Sequence, residues 1–118
     1  MSDTSNDAAW PDELDALVAA PDHHTLLYEN DRVRVLDAYI SAGDQTPVHT
    51  HRWPAVLYIL SWSQFVRYDE SGTVLLDSRA VPALQTPTPA LWSEPIGPHS
   101  LLNVGAADLR VITVELKQ

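Results

Sequence analysis

The sequence predicts an all-β domain, a sandwich or barrel of antiparallel strands with a short helix at its N-terminal end. From Leu26 onward, short apolar or alternating runs follow one another with no helical period between them. Turn clusters separate the runs: Gly43-Asp44, then Asp69-Glu70-Ser71-Gly72, then Gly105-Ala106-Ala107-Asp108. The nine prolines fall almost wholly in the gaps, where a missing N–H costs least.

Taken in order, Met1 to Ala9 are small and polar and predict a frayed tail, followed by a single domain over 10–118. Pro11 at a first helical position, followed by Asp12 and Glu13, starts a helix whose apolar residues are Leu14, Leu17 and Val18. Pro21 stops it, and its stripe is expected to pack on the outside of the domain. Val33 to Ile40 is the first long alternating strand, and Gly43-Asp44 breaks it. Val48 to Thr50 is a short extended piece, and Ala55 to Leu60 an apolar run. Phe65 to Tyr68 and Thr73 to Leu76 form a hairpin about the turn at 69–72. Leu91 to Ser93, Ser100 to Val104 and Leu109 to Glu115 supply the remaining strands.

A chain of 118 residues has room for one core and one functional site. Seven basic residues against sixteen acidic give a net charge of −9, which opposes binding to nucleic acid and to anionic membrane surfaces. The absence of cysteine excludes disulfides, zinc-thiolate sites and a cysteine nucleophile. No apolar run reaches about 18 residues, so no membrane span is expected. The first residues carry Asp3 and Asp7 without a basic cluster, unlike a signal peptide, so a cytoplasmic protein is expected.

Five histidines are present: His23, His24, His49, His51 and His99. On a strand, residues i and i+2 point to one face with Cα atoms about 6.6 Å apart. His49 and His51 can therefore lean onto one metal ion at nitrogen distances of about 2.0–2.2 Å. Such a pair needs a third donor from elsewhere, and His99 is the obvious supply. His23 and His24, adjacent and facing opposite ways, read as solvated or capping groups.

Gly43-Asp44-Gln45-Thr46-Pro47-Val48-His49-Thr50-His51 resembles the first cupin motif, G-x5-H-x-H, and Pro98-His99-Ser100-Leu101-Leu102-Asn103 resembles the end of the second, P-H-x3-N. The resemblance covers the chain from about Asn30 to the C-terminus. It implies a jelly-roll barrel whose mouth gathers His49, His51 and His99 around one divalent metal ion, with Gly43 as the turn glycine and Asn103 as a structural asparagine. Two departures stand out. The first motif normally continues to a glutamate ligand, but Ala55 or Val56 occupies that place. The second motif is one residue short at Pro95-Ile96-Gly97-Pro98-His99, which makes Gly97 only a candidate for the motif's glycine.

Three neutral imidazoles without a carboxylate leave a divalent ion near +2, which favours anionic or enolisable chelating substrates. Up to three positions stay open, enough for a bidentate substrate and O2 on Fe(II), as the resemblance to three-histidine thiol and β-diketone dioxygenases implies. The favoured expectation is thus a mononuclear non-haem iron dioxygenase acting on a small chelating acid, thiol or diketone. The alternatives are a lyase, isomerase or hydrolase with zinc, nickel or manganese as a Lewis acid, and a non-catalytic ligand-binding protein.

Glu94 shares a strand face with Trp92 close to His99, so it can be a fourth ligand, a partner to an imidazole N–H, a general base, or a solvent-facing residue. Arg67 and Tyr58 are candidates for orienting an anionic substrate, against the simpler readings of edge charge and packing. Trp53 and Trp92 either wall the pocket or pack, and Trp62 is expected to pack. In the last strand Ile112, Val114 and Leu116 alternate with Val111, Thr113 and Glu115, apolar on both faces, which predicts a homodimer.

Overall fold

The structure is a computed structural model that describes residues 10–117, so the tail expected over 1–9 lies outside the described residues. Nine strands form: β1 (His24–Glu29), β2 (Val33–Ile40), β3 (His49–His51), β4 (Ala55–Ser61), β5 (Phe65–Asp69), β6 (Val74–Asp77), β7 (Ala90–Ser93), β8 (Ile96–Asn103) and β9 (Leu109–Leu116). They pair antiparallel into a five-stranded sheet, β1-β2-β9-β4-β7, and a four-stranded sheet, β3-β8-β5-β6. The all-β prediction holds. Two strands begin earlier than their apolar runs suggest: β1 at His24 and β8 at Ile96, four residues before Ser100.

The N-terminal helix differs from its prediction. Residues Asp12–Leu14 make a 3-10 turn, Asp15 is extended, and α1 (Ala16–Ala19) is a single α-turn. Val18 is exposed, and Ala16 and Ala20 are the buried residues instead of a Leu14, Leu17 and Val18 stripe. The cause is Asp15. Its carboxylate accepts from the Leu17 N–H as an N-cap and is also gripped by buried Arg34, so the segment is anchored through a charge and not an apolar face.

Gly43 and Gly72 take the positive φ values, 82° and 89°, that the turns after β2 and β5 require. Ile40, Phe65 and Leu109 form the buried apolar cluster, with Trp62, Leu76, Leu84, Leu101 and Val111 packed against it. Trp62 packs as expected, edge-on to Phe65 with its indole N–H donating to the Leu84 carbonyl. The inner face of β9 corrects the expectation of a strand dry on both sides. Thr113 and Glu115 are buried there, and the outer face is apolar over Ile112, Val114 and Leu116 only, since Arg110 on the same face pairs with Asp37.

Asn103 closes the end of this cluster. Its amide donates to the Ile40 and Ala107 carbonyls, and its carbonyl accepts from the Ser63 hydroxyl and the Gly105 N–H. Gly105 has no room for a side chain, since a Cβ would lie 2.1 Å from Ser63 Oγ. Asn103→Ala removes four hydrogen bonds, two of them fully buried, and is expected to lower stability by about 3 kcal/mol in urea denaturation. A loss below about 1 kcal/mol would show that the asparagine is dispensable.

Candidate metal centre

β3 is short because Pro47 and Pro54 bracket it and neither can donate to a ladder. Its register sets His49 directly opposite His99 on β8, and an irregularity follows before His51 pairs with Ile96. Both β3 imidazoles turn inward with ring centroids 4.9 Å apart, and His99 packs 4.4 Å from His49 and 5.5 Å from His51. The four-stranded sheet thus supplies three rings.

The opposite sheet supplies a fourth. His24 opens β1 opposite Ala38, and that pairing turns its ring inward, 4.8 Å from His49 and 5.3 Å from His51. The ligand nitrogens of His24, His49 and His51 lie within 4.8 Å of one another, with His99 packed beside them. The reading of His24 as a solvated or capping group is therefore corrected. His23 does face the other way, and its Nε2 bonds the Asp44 carboxylate at 2.9 Å.

The outward nitrogens fix the chemistry of the rings. Nδ1 of His24 meets the Ala20 carbonyl at 3.0 Å, that of His49 the Pro47 carbonyl at 2.8 Å, and that of His99 the Gly97 carbonyl at 2.7 Å. A carbonyl can only accept, so each Nδ1 carries the proton and each Nε2 keeps its lone pair. His51 Nδ1 donates in the same sense to Glu115 Oε2 at 3.3 Å. Burial, and then the charge of neighbouring His51, push His24 down to about 4, His49 to about 2 and His99 to about 3. These three rings are neutral near pH 7. Three rings with tethered Nδ1–H groups and free Nε2 atoms, with His51 beside them, offer nitrogen donors to a divalent metal ion.

Glu115 extends the network away from the rings. Arg34 Nε donates to its Oε1 at 2.6 Å, and the two other Arg34 nitrogens clamp Asp15 at 3.0 and 2.9 Å. Burial works against the Glu115 carboxyl, but its bonds from His51 and Arg34 outweigh that and hold it below the usual range. Two carboxylates against one guanidinium leave excess negative charge behind the rings, which favours a cation among them.

A cavity of about 540 Å³ opens beside the histidines, walled by Ile40, Leu57, Phe65, Leu91, Leu109 and Val111. Arg67 and Trp53 border it, and Arg34, Arg52 and Lys117 also sit around the Trp53 ring. Tyr58 does not. Ala55 and Leu57 face in, so Tyr58 projects outward and is 52% exposed. Trp92 lies beside Val56 on the outer face, 55% exposed, and reaches only the cavity's edge. Glu94 is exposed there too, accepts from the Trp92 indole N–H, and stands outside the histidine group. Gly97 lies within β8 at ordinary φ, where Trp10 covers it 3.2 Å from a would-be Cβ; it is not a turn glycine.

No family model matches the chain, and no curated protein matches it. Solved structures do. A cupin domain from Bordetella pertussis Tohama I superposes with a TM-score of 0.60 at 17% identity, covering 80% of this chain and 92% of that one. The fold is a cupin fold. An RmlC-like cupin with a double-stranded β-helix fold from Methanocaldococcus jannaschii gives a TM-score of 0.55 at 13% identity, covering 80% and 78%. A double-stranded β-helix protein from Klebsiella pneumoniae gives 0.53 at 15% identity, covering 79% and 70%.

The position of the missing motif glutamate faces a different carboxylate, one that does not join the ring nitrogens. Ala55 faces the cavity directly opposite Glu115, so a carboxylate from β9 stands beside the vacated position and bonds a histidine. A glutamate among the inward residues of the last strand was the available signal, since a buried carboxylate needs partners. His24 had no such signal. The residues after it, Leu26 to Tyr28, are exposed across an irregular pairing, so no alternation marks the strand's inner face.

Depressed histidine pKa values set the acid stability of the metal-free protein. Between about pH 6.5 and pH 4 the unfolded chain binds protons on His24, His49 and His99 that the folded chain does not, so stability falls as pH falls. Each ring contributes about 1.4 kcal/mol per pH unit in its window. Denaturation of chelator-treated protein at pH 7, 6 and 5 is expected to show this decline. Stability that holds constant or rises on acidification to pH 5 would contradict it.

Proposed function

We propose that this protein is a metal-dependent enzyme in which His49, His51 and His99, joined by His24, hold one divalent ion beside the substrate cavity. The favoured reaction is dioxygenation of a small chelating acid, thiol or diketone. The observation that carries the reading is the group His24, His49 and His51, with ligand nitrogens within 4.8 Å of one another, and His99 packed against His49 with no carboxylate among them. Fe(II), when bound, supplies redox chemistry with dioxygen and open positions for a chelating substrate.

The chain's own residues prepare that chemistry. Neutral His24, His49 and His99 spare the incoming ion a competition with protons at physiological pH. Glu115 accepts the His51 Nδ1–H and raises the basicity of the opposite nitrogen, while Arg34 and Asp15 keep that carboxylate in place. Apolar walls limit water around the reacting groups.

His24 favours a second reading. If all four rings bind a six-coordinate ion, two positions remain, and a bidentate substrate fills both. Zinc, nickel or manganese then acts as a Lewis acid in lyase, isomerase or hydrolase chemistry. Protein made without a histidine tag and purified without chelators is expected to carry about one divalent ion per chain by elemental analysis. His49→Ala is expected to cut metal affinity more than the about 10–100-fold loss typical of an outer-shell partner. Iron with substrate-dependent O2 uptake supports the dioxygenase; zinc or nickel without uptake supports the Lewis acid. Absence of metal, with His49→Ala leaving ligand binding intact, would leave a non-catalytic binding protein.

We also propose a homodimer formed through the outer face of the five-stranded sheet. Tyr28, Val35, Val114, Val56 and Trp92 lie in one row across all five strands, and Tyr58 and Leu60 extend the exposed apolar surface. Light scattering at micromolar concentration should give twice the 13.1 kDa chain mass, falling to one chain in Val56→Asp. A monomeric unmutated protein would contradict the dimer.

A further inference from the structure

Arg67 is the one arginine or lysine on the cavity wall among the described residues. Register places it opposite Leu101, diagonal to His99, within reach for a long side chain. Its Nε is buried without a hydrogen-bond partner, and no ion pair among the described residues includes it. Nearby carboxylates are engaged elsewhere: Glu115 with His51 and Arg34, Glu94 with Trp92, Asp69 with Ser71 and Thr73. Phe65 flanks the guanidinium at 5.9 Å and offers no acceptor. A half-buried, always-charged group with a buried Nε and no counterion costs stability, and such costs persist where a ligand supplies the missing partner.

We propose that the cavity takes a monocarboxylate with an apolar body, its carboxylate paired with Arg67 and its hydrocarbon lying against Phe65, Ile40, Leu109 and Leu57. The inference rests on the reading of this cavity as the substrate site and names its substrate class. Diagonal placement of Arg67 and His99 sets the carboxylate end beside the histidines, and the hydrocarbon points towards the Ile40–Leu109 end. One guanidinium matches one carboxylate in a bidentate pair. A phosphate dianion would find a single cation, and a sugar would find few polar groups to meet its hydroxyls.

Calorimetric titration with octanoate and with its neutral counterpart octanamide tests the assignment, on protein as purified and after metal removal by chelator. Octanoate is expected to bind about tenfold to a hundredfold tighter than octanamide in both forms. Arg67→Met is expected to abolish that preference, leave octanamide binding unchanged, and raise Tm because it removes a half-buried charge that has no partner. Equal binding of the two probes overturns the proposal, as does a preference that survives Arg67→Met. A preference lost on metal removal with Arg67 intact also overturns it, by assigning the carboxylate to the ion. A lowered Tm in Arg67→Met makes Arg67 a structural residue and overturns it too. Elemental analysis of the same samples separates the two readings. Protein without metal that keeps an Arg67-dependent octanoate preference supports this proposal while removing the metal-enzyme one.

Discussion

Four imidazole rings share one enclosed space, and each must place an N–H somewhere. The protein resolves this by giving every Nδ1–H an acceptor on the outer side of the cluster: the Ala20, Pro47 and Gly97 carbonyls and the Glu115 carboxylate. The inward nitrogens of His24, His49 and His99 then carry lone pairs only. Without those tethers the rings could flip; burial and mutual repulsion at centroid separations of 4.4–5.5 Å are what oppose their protonation.

Much of the remaining structure serves those acceptors. Ala20 ends α1, so the N-terminal turn directly orients His24. Asp15, which starts the same turn, holds Arg34, which in turn holds Glu115 against His51. Through these two connections a one-turn helix, too short to be stable alone, belongs to the site. The buried chain Asp15–Arg34–Glu115–His51 is also where single substitutions are most costly, since removing one member strands a charge out of water.

The strands were legible because alternating runs, turn glycines and gap prolines all gave one answer; Gly43 and Gly72 act where the local pattern places turns, and Asn103 where the motif resemblance places it. The pair His49 and His51 was legible because a two-residue strand period fixes their common face. Other site features depend on pairing between distant strands, which local pattern does not encode. His24 turns inward only because β1 pairs with β2, and Glu115 matters only because its register sets it opposite Ala55. Tyr58 went the other way. Its closeness in sequence to the first motif suggested the pocket, whereas strand parity sends it outward; Trp92 and Glu94 are exposed but line the cavity's rim.

The account stands or falls on the protonation of the rings, which can be read without any metal. Long-range 1H–15N correlation spectra of histidine-labelled, metal-free protein at pH 7 report the tautomer of each ring. His24, His49 and His99 are predicted to appear as neutral rings protonated at Nδ1. Spectra showing Nε2-protonated or charged rings at these positions would contradict the central claim.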